Sequence, residues 1–241
     1  MNRKFLLALL TFFITSFLYA QDKTFQKGMK VSKSLNLKKT VYRIDAAGDI
    51  EKPLMIIEGN NITVDFKNAV LQGSNSKKNP DEFFGLAILI RNSKNVTIKN
   101  LSAKGYKIAI LAKNTEGLVL DNCDFSYNYR QHLNSTQEKE DIADWMSYHQ
   151  NENDEWLRYG AAIYLRNCNK AEVKNCKVTG GQNALMMTAC NDGKIYNNDF
   201  SFNSGIGIGM YRSNGNNILY NRLIFNVRGY SHGIYNRGQD S

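Results

Sequence analysis

The stretches "LVLDNCDFSYN" (118–128) and "AEVKNCKVTGG" (171–181) carry the same pattern, an aliphatic residue two places before an asparagine. The pattern returns in "VTIKNLSAKG" (96–105), "KIYNNDFSFN" (194–203) and "ILYNRLIFN" (218–226). The repeat asparagines, Asn100, Asn122, Asn175, Asn197 and Asn221, are spaced by 22, 53, 22 and 24 residues. Taking one period from 53 leaves 31, the length of segment 129–159, which therefore reads as an insertion. A period near 22 with short alternating β-type segments and no helical pattern between them predicts a solenoid of β-coils. Asparagine tolerates the left-handed backbone of a tight corner, and stacked amides can hydrogen-bond from coil to coil. That explains 30 asparagines in 241 residues. Leucine-rich repeats share the period, but their leucine spacing is missing.

The pattern resembles the right-handed parallel β-helix of the pectate-lyase-like superfamily, including its carbohydrate-binding and sugar-hydrolase repeats. The resemblance covers roughly 55–241 and is specific for fold rather than activity, since many chemistries and some non-enzymes share such a scaffold. The expected fold class is all-β: a right-handed parallel β-helix with coils of about 22 residues and one helical insertion.

Outward from the repeat, the N-terminus reads differently. Arg3 and Lys4 precede the apolar run "FLLALLTFFITSFLYA" (5–20), a signal-peptide pattern with cleavage after Ala20. No stable membrane span is expected, because the run is near the lower limit for one. The mature chain is thus expected to be secreted or periplasmic. Segment 21–54 is lysine-rich, lacks the repeat and is expected to cap the first coil. At the other end "SHGIYNRGQDS" (231–241) starts another coil strand. Further coils, or a partner chain covering the open end, are expected there.

The stacking register also places the cysteines. Cys168 and Cys190 each lie seven residues before a repeat asparagine, and Cys123 and Cys176 each lie one after it. Each pair should therefore sit at equivalent positions on neighbouring coils, as small core residues rather than disulfides.

The formal charge of +9 falls to +7 without the signal, with 29 Lys+Arg against 22 Asp+Glu. Segment 129–159 holds seven acids and three bases, so its −4 lies on a body of +11. It also holds both tryptophans, Trp145 and Trp156, and two of three histidines, His132 and His149. "STQE" (135–138) reads as a capping box, and Ile142, Trp145, Met146 and His149 follow at helical spacing. A helix over 136–149 is expected to pack on the coils through Trp145 and Met146. Trp156 and Arg158 are expected to face a ligand, as an apolar platform and an orienting cation.

Nine residues before each repeat asparagine lie Arg91, Lys113, Arg166 and Thr188, continued by Tyr211 and Arg237. A parallel ladder two places earlier reads Leu89, Leu111, Tyr164, Met186, Gly209 and Tyr235. Six coils at about 4.8 Å each would span about 24 Å, enough for a short run of sugars. Stacked cations repel, so either the acidic insertion or an anionic substrate must neutralise them. Asp124, Lys177 and Asp199 share another ladder, read as surface ion pairing. "NENDE" (151–155) is where calcium would be sought, but it lacks the ligand spacing and glycine of an EF-hand loop, and no cofactor or metal is expected. "MMTAC" (186–190) suggests soft-metal chemistry only weakly, because alternation sends Met186 and Met187 to opposite faces.

These residues point to a protein acting on an acidic polysaccharide as a lyase or glycoside hydrolase. Arg91, Lys113, Tyr164 and Arg166, with Trp156 and Arg158, are expected to bind substrate. Tyr211, His232, Tyr235 and Arg237 are expected to supply base and acid. The resemblance implies that an arginine or lysine can be the base in lyases of this kind. A hydrolase would instead need two acids, with Asp154 and Glu155 the best placed. The alternative is a non-catalytic surface β-helix that binds glycans or partners through the same ladders. Nucleic acid fits poorly, since the cations interleave with an acidic insertion.

Overall fold

The structure, a computed structural model, describes residues 22–136, 138–139, 141–144, 146 and 150–226. The signal-like run and the expectations at Trp145, His149, His232, Tyr235 and Arg237 lie outside the described residues. Among the described residues the chain is all-β, its strands paired in parallel and wound about one axis. No helix among them is long and apolar enough to cross a membrane.

Each coil has three faces. The first stacks the start of Leu86–Lys104 on Ile108–Glu116, Ala161–Arg166, Leu185–Thr188 and Ile208–Tyr211. The second stacks Thr97–Lys99 on Val119–Asp121, Glu172–Lys174, Lys194–Tyr196 and Asn217–Leu219. The third is a row of single bridges, Ser102, Asp124, Lys177, Asp199 and Arg222, which extends the expected charge ladder by one cation. Met29–Val31, Leu35–Asn36 and Val41–Arg43 pair in parallel with Met55–Ile57 and with two parts of Asn60–Gln72. The described part of segment 21–54, residues 22–54, is thus itself wound as a coil, with corners that do not use the asparagine pattern.

The period-2 alternation fills the axis. Ile90, Ala112, Leu165 and Met187 point inward on the first face, as do Ile98, Leu120, Val173 and Ile195 on the second, all fully buried. Phe125 and Phe200 close the third side. Neighbouring residues of opposite parity face outward, which is why Met186 and Met187 fall into two different apolar clusters.

Asparagine works at two depths. Asn100, Asn122, Asn175 and Asn197 all take positive φ, between 53° and 57°, at the corner between the second and third faces. The amide of Asn122 donates to Asn100 at 2.7 Å. The next residue in this corner is Tyr220, φ 56°, and not Asn221. Asn221 sits one place later and accepts from the Asn198 side chain at 2.9 Å. The last interval is therefore 23 residues, because Tyr196 pairs with Leu219. A second, buried ladder runs Asn128, Asn203 and Asn226, whose side-chain oxygens accept from the backbone of Tyr106, Gly181 and Asn203. Such bonds satisfy amides that the tight corner removes from the sheet.

The cysteines belong to corners of the same kind. Ser93, Thr115, Cys168, Cys190 and Ser213 occupy one register, and each side chain donates to the carbonyl two residues earlier. A thiol here stands where other coils place a hydroxyl. All four cysteines are free and buried, and burial first, then the Cys176 thiol, pushes the Cys123 pKa up. The expected outcome is that a water-soluble thiol reagent labels none of them in the folded chain and all four after unfolding. Labelling of only two after unfolding without reductant would indicate a disulfide and contradict this reading.

Candidate functional site

From Ile163 to Arg166 the strand alternates, so Ile163 and Leu165 face the axis while Tyr164 and Arg166 face outward. The same parity holds on every coil. The register aligns Arg91, Lys113, Arg166, Thr188 and Tyr211 in one outward ladder and Leu89, Leu111, Tyr164, Met186 and Gly209 in the next. Among the described residues both ladders keep the order expected from their spacing, and their last expected members, Arg237 and Tyr235, lie outside those residues.

What lies over them is the chain's own insertion. Leu89, Leu111, Tyr164 and Met186 join Leu86, Ile108, Met146, Trp156, Tyr159 and Ala161 in a second apolar cluster outside the coil. Trp156 is only 2% exposed and meets Tyr211 edge-on, with ring centroids 5.9 Å apart. This corrects the expectation that Trp156 faces a ligand. The outer face of Leu86–Arg91 and its partners is apolar, so the largest side chain nearby is drawn onto it. Arg158 donates to the Ala143 carbonyl at 2.8 Å and lies over the Tyr159 ring at 4.6 Å, so it ties the insertion together.

The expected helix over 136–149 is also corrected. Among the described residues only a short 3-10 turn, Ile142–Asp144, is present, and Ile142 is 86% exposed instead of packing. Ser135 does not cap a helix. Its hydroxyl and backbone amide both donate to Asp144, which also accepts from the Asn134 amide and the Gln131 side chain. A buried carboxylate that gathers local donors organises a compact loop, and this competes with helix formation.

The polar half of the contact is centred on Asp154. Its carboxylate accepts from Lys113 Nζ at 3.0 Å, Arg166 Nη1 at 2.6 Å and the Tyr164 hydroxyl at 3.0 Å. Burial pushes the Asp154 pKa up, but the bonds and charges of Lys113, Tyr164 and Arg166 outweigh it and hold the carboxyl below its ordinary value. Asp154 takes φ 62°, a left-handed conformation that aspartate tolerates. Fully buried Asn151 donates to the Tyr164 hydroxyl and Thr188 Oγ1, both at 2.7 Å, and accepts from the Trp156 amide. Burial above all raises the Tyr164 pKa to about 12, so this phenol stays protonated. The cation ladder is therefore neutralised from within: Asp154 serves Lys113 and Arg166, and Glu58 pairs with Arg91 at 3.0 Å.

At the exposed rim a smaller set remains. The Tyr211 hydroxyl donates to Glu152, and Arg212 Nη2 donates to the same Oε1 at 2.8 Å. The bond to Glu152 raises the Tyr211 pKa, and the bond from Tyr211 is the main cause that lowers the Glu152 pKa. Arg166 Nη2 also donates to the Glu152 carbonyl. Asn151, Glu152 and Arg212 were not apparent as site residues in sequence. The alternating acids of "NENDE" were the available signal, since Glu152 and Asp154 lie two apart. Glu155 accepts from the Asn153 amide and side chain within its own turn. Among the described residues no group of three or more His, Cys, Asp or Glu side chains is placed to hold a metal ion.

A search of curated proteins finds no match to this chain. The family model of the right-handed β-helix region matches residues 86–241, well over half of the 241. With parallel coils and the matched region in agreement, the chain belongs to the right-handed β-helix family.

Proposed function

We propose that this is an exported β-helix protein that acts on an acidic polysaccharide, as a lyase or glycoside hydrolase, with Tyr211, Glu152 and Arg212 at its reactive corner. The observation that carries the reading is the hydrogen bond shared by Tyr211 and Glu152 at an exposed rim, with a guanidinium on the same carboxylate. The phenol is kept protonated and the carboxylate ionised, so a proton donor and a proton acceptor stand side by side at neutral pH. In a lyase reaction Arg212 would neutralise the uronate carboxylate while Glu152 takes the proton from the adjacent carbon. The carbon–oxygen bond then breaks, a carbon–carbon double bond forms, and the leaving oxygen takes the Tyr211 proton. His232, Tyr235 and Arg237 remain candidates for the same proton transfers, and Arg91 for holding the glycan. The apolar N-terminal run after Arg3 and Lys4 supports export.

A second reading, binding without cleavage, has one observation in its favour. Lys113 and Arg166 are both engaged by Asp154, so this part of the ladder offers no open cation pair to a uronate. Incubation with a panel of uronic-acid polysaccharides separates the two. Cleavage yields ultraviolet-absorbing unsaturated ends or new reducing ends, and Tyr211→Phe should lower the rate by about 100-fold or more. Binding with neither product supports the second reading, and full activity in Tyr211→Phe removes the reactive corner from the proposal.

A further inference from the structure

At the corner between the third and first faces, equivalent residues are Gly105, Tyr127, Gly180, Phe202 and Phe225, one per coil. Their neighbours in the buried ladder, Asn128, Asn203 and Asn226, fix this register. All five take positive φ: 77°, 58°, 70°, 59° and 55°. Two coils use glycine, the residue such a backbone favours, and three use bulky aromatics, for which it costs about 1–3 kcal/mol each. The rings do not recover that cost by filling a core. Tyr127, Phe202 and Phe225 are 64%, 50% and 66% exposed.

They form a strip instead. Phe202 and Phe225 stack with centroids 5.3 Å apart and planes 13° from parallel. A Cβ added at Gly180 would come within 3.0 Å of the Tyr127 ring, so this ring lies across the glycine coil. Beside it is a cleft of about 290 Å³ lined by Gln72, Asn75, Lys77, Phe83, Lys104 and Tyr127. At the other end Arg222 lies over the Phe202 ring at 5.6 Å.

We propose that the strip Tyr127–Phe202–Phe225 and the adjoining cleft bind a chain of acidic pyranose sugars, the rings stacking on sugar faces. Exposed Lys104 in the cleft faces the sugar carboxylates, while Arg222, paired with Asp199 at 3.5 Å, backs the Phe202 ring. The flat apolar faces of pyranoses match exposed rings, and their rims of hydroxyls match Gln72 and Asn75. Coils repeat at about 4.8 Å, so successive rings can meet successive parts of an extended glycan. This rests on the acidic-polysaccharide reading and adds a surface separate from the Tyr211 corner. It uses strain where function, not packing, profits from it.

The test is the double variant Tyr127→Asn/Phe202→Asn. Asparagine suits positive φ, so a purely structural strip predicts lower stability on losing the rings, whereas a binding strip predicts unchanged or higher thermal stability. Affinity for long uronic-acid oligosaccharides, measured by calorimetry, should fall by about tenfold or more, and Tyr127→Phe should retain it. Wild-type affinity in the double variant would overturn the strip while leaving the polysaccharide reading intact. A wild-type chain that binds no acidic glycan would overturn both.

Discussion

Trp156→Ala is expected to destabilise the fold by about 3–5 kcal/mol, the usual cost of truncating a buried aromatic ring. The indole is buried within the outer apolar cluster, against Tyr211 and among Leu86, Leu111 and Met186. The Trp156 amide is bonded to Asn151, so a cavity here also disturbs the turn that carries Asp154. Urea denaturation should therefore give a lower midpoint, and limited proteolysis should open segment 129–159 before the coils. An unchanged midpoint together with weakened glycan binding would contradict the burial and restore Trp156 as a ligand platform.

Asp154→Asn is expected to cost about 2–3 kcal/mol. Removing one member of a fully buried ion pair costs about 3–5 kcal/mol. Here the side chains of Lys113, Arg166 and Asp154 retain 31%, 24% and 17% exposure, which reduces the figure. The variant leaves Lys113 and Arg166 side by side with no carboxylate between them, which is the repulsion that parallel stacking imposes. Raising the salt concentration should recover part of the loss, while Trp156→Ala should show no such recovery. The same carboxylate gives the acid response its sign. Its folded pKa lies below its ordinary value near 3.9, so its contribution is complete above about pH 4 and is lost as pH falls through the folded pKa. Segment 129–159 should loosen in acid before the coils unfold. Loosening on the alkaline side instead would contradict the assignment.

The coil architecture could be read from sequence because a solenoid repeats its own constraints. Alternation fixes which side chains face the axis, and the corner selects residues that accept positive φ, so the 22-residue spacing carries both ladders into register. Asn221 falls outside the corner register because the last described coil follows its neighbour by 23 residues and places Tyr220 at the corner. The insertion was far less readable. Ile142 and Met146 have helical spacing, yet the buried Asp144 draws in Ser135, Asn134 and Gln131. Such a network depends on contacts that no local period records. The burial of Trp156 is hidden in the sequence for a related reason. Leu89, Leu111, Tyr164 and Met186 are outward on the coil, yet outward is not the same as solvent-exposed, since an apolar outward ladder calls for a cover. The exposed rings at Tyr127, Phe202 and Phe225 are not legible in the sequence, because aromatic residues in a corner register resemble core residues until their exposure is known.

The claim that the protein acts on acidic glycans is tested most directly by calorimetric titration of the whole chain with a uronic-acid oligosaccharide and a neutral one of equal length and linkage. The expected result is binding of the acidic sugar, weaker binding of the neutral one, and loss of the difference as salt screens the lysines and arginines. Equal affinity for both sugars, or none for the acidic one, would contradict it.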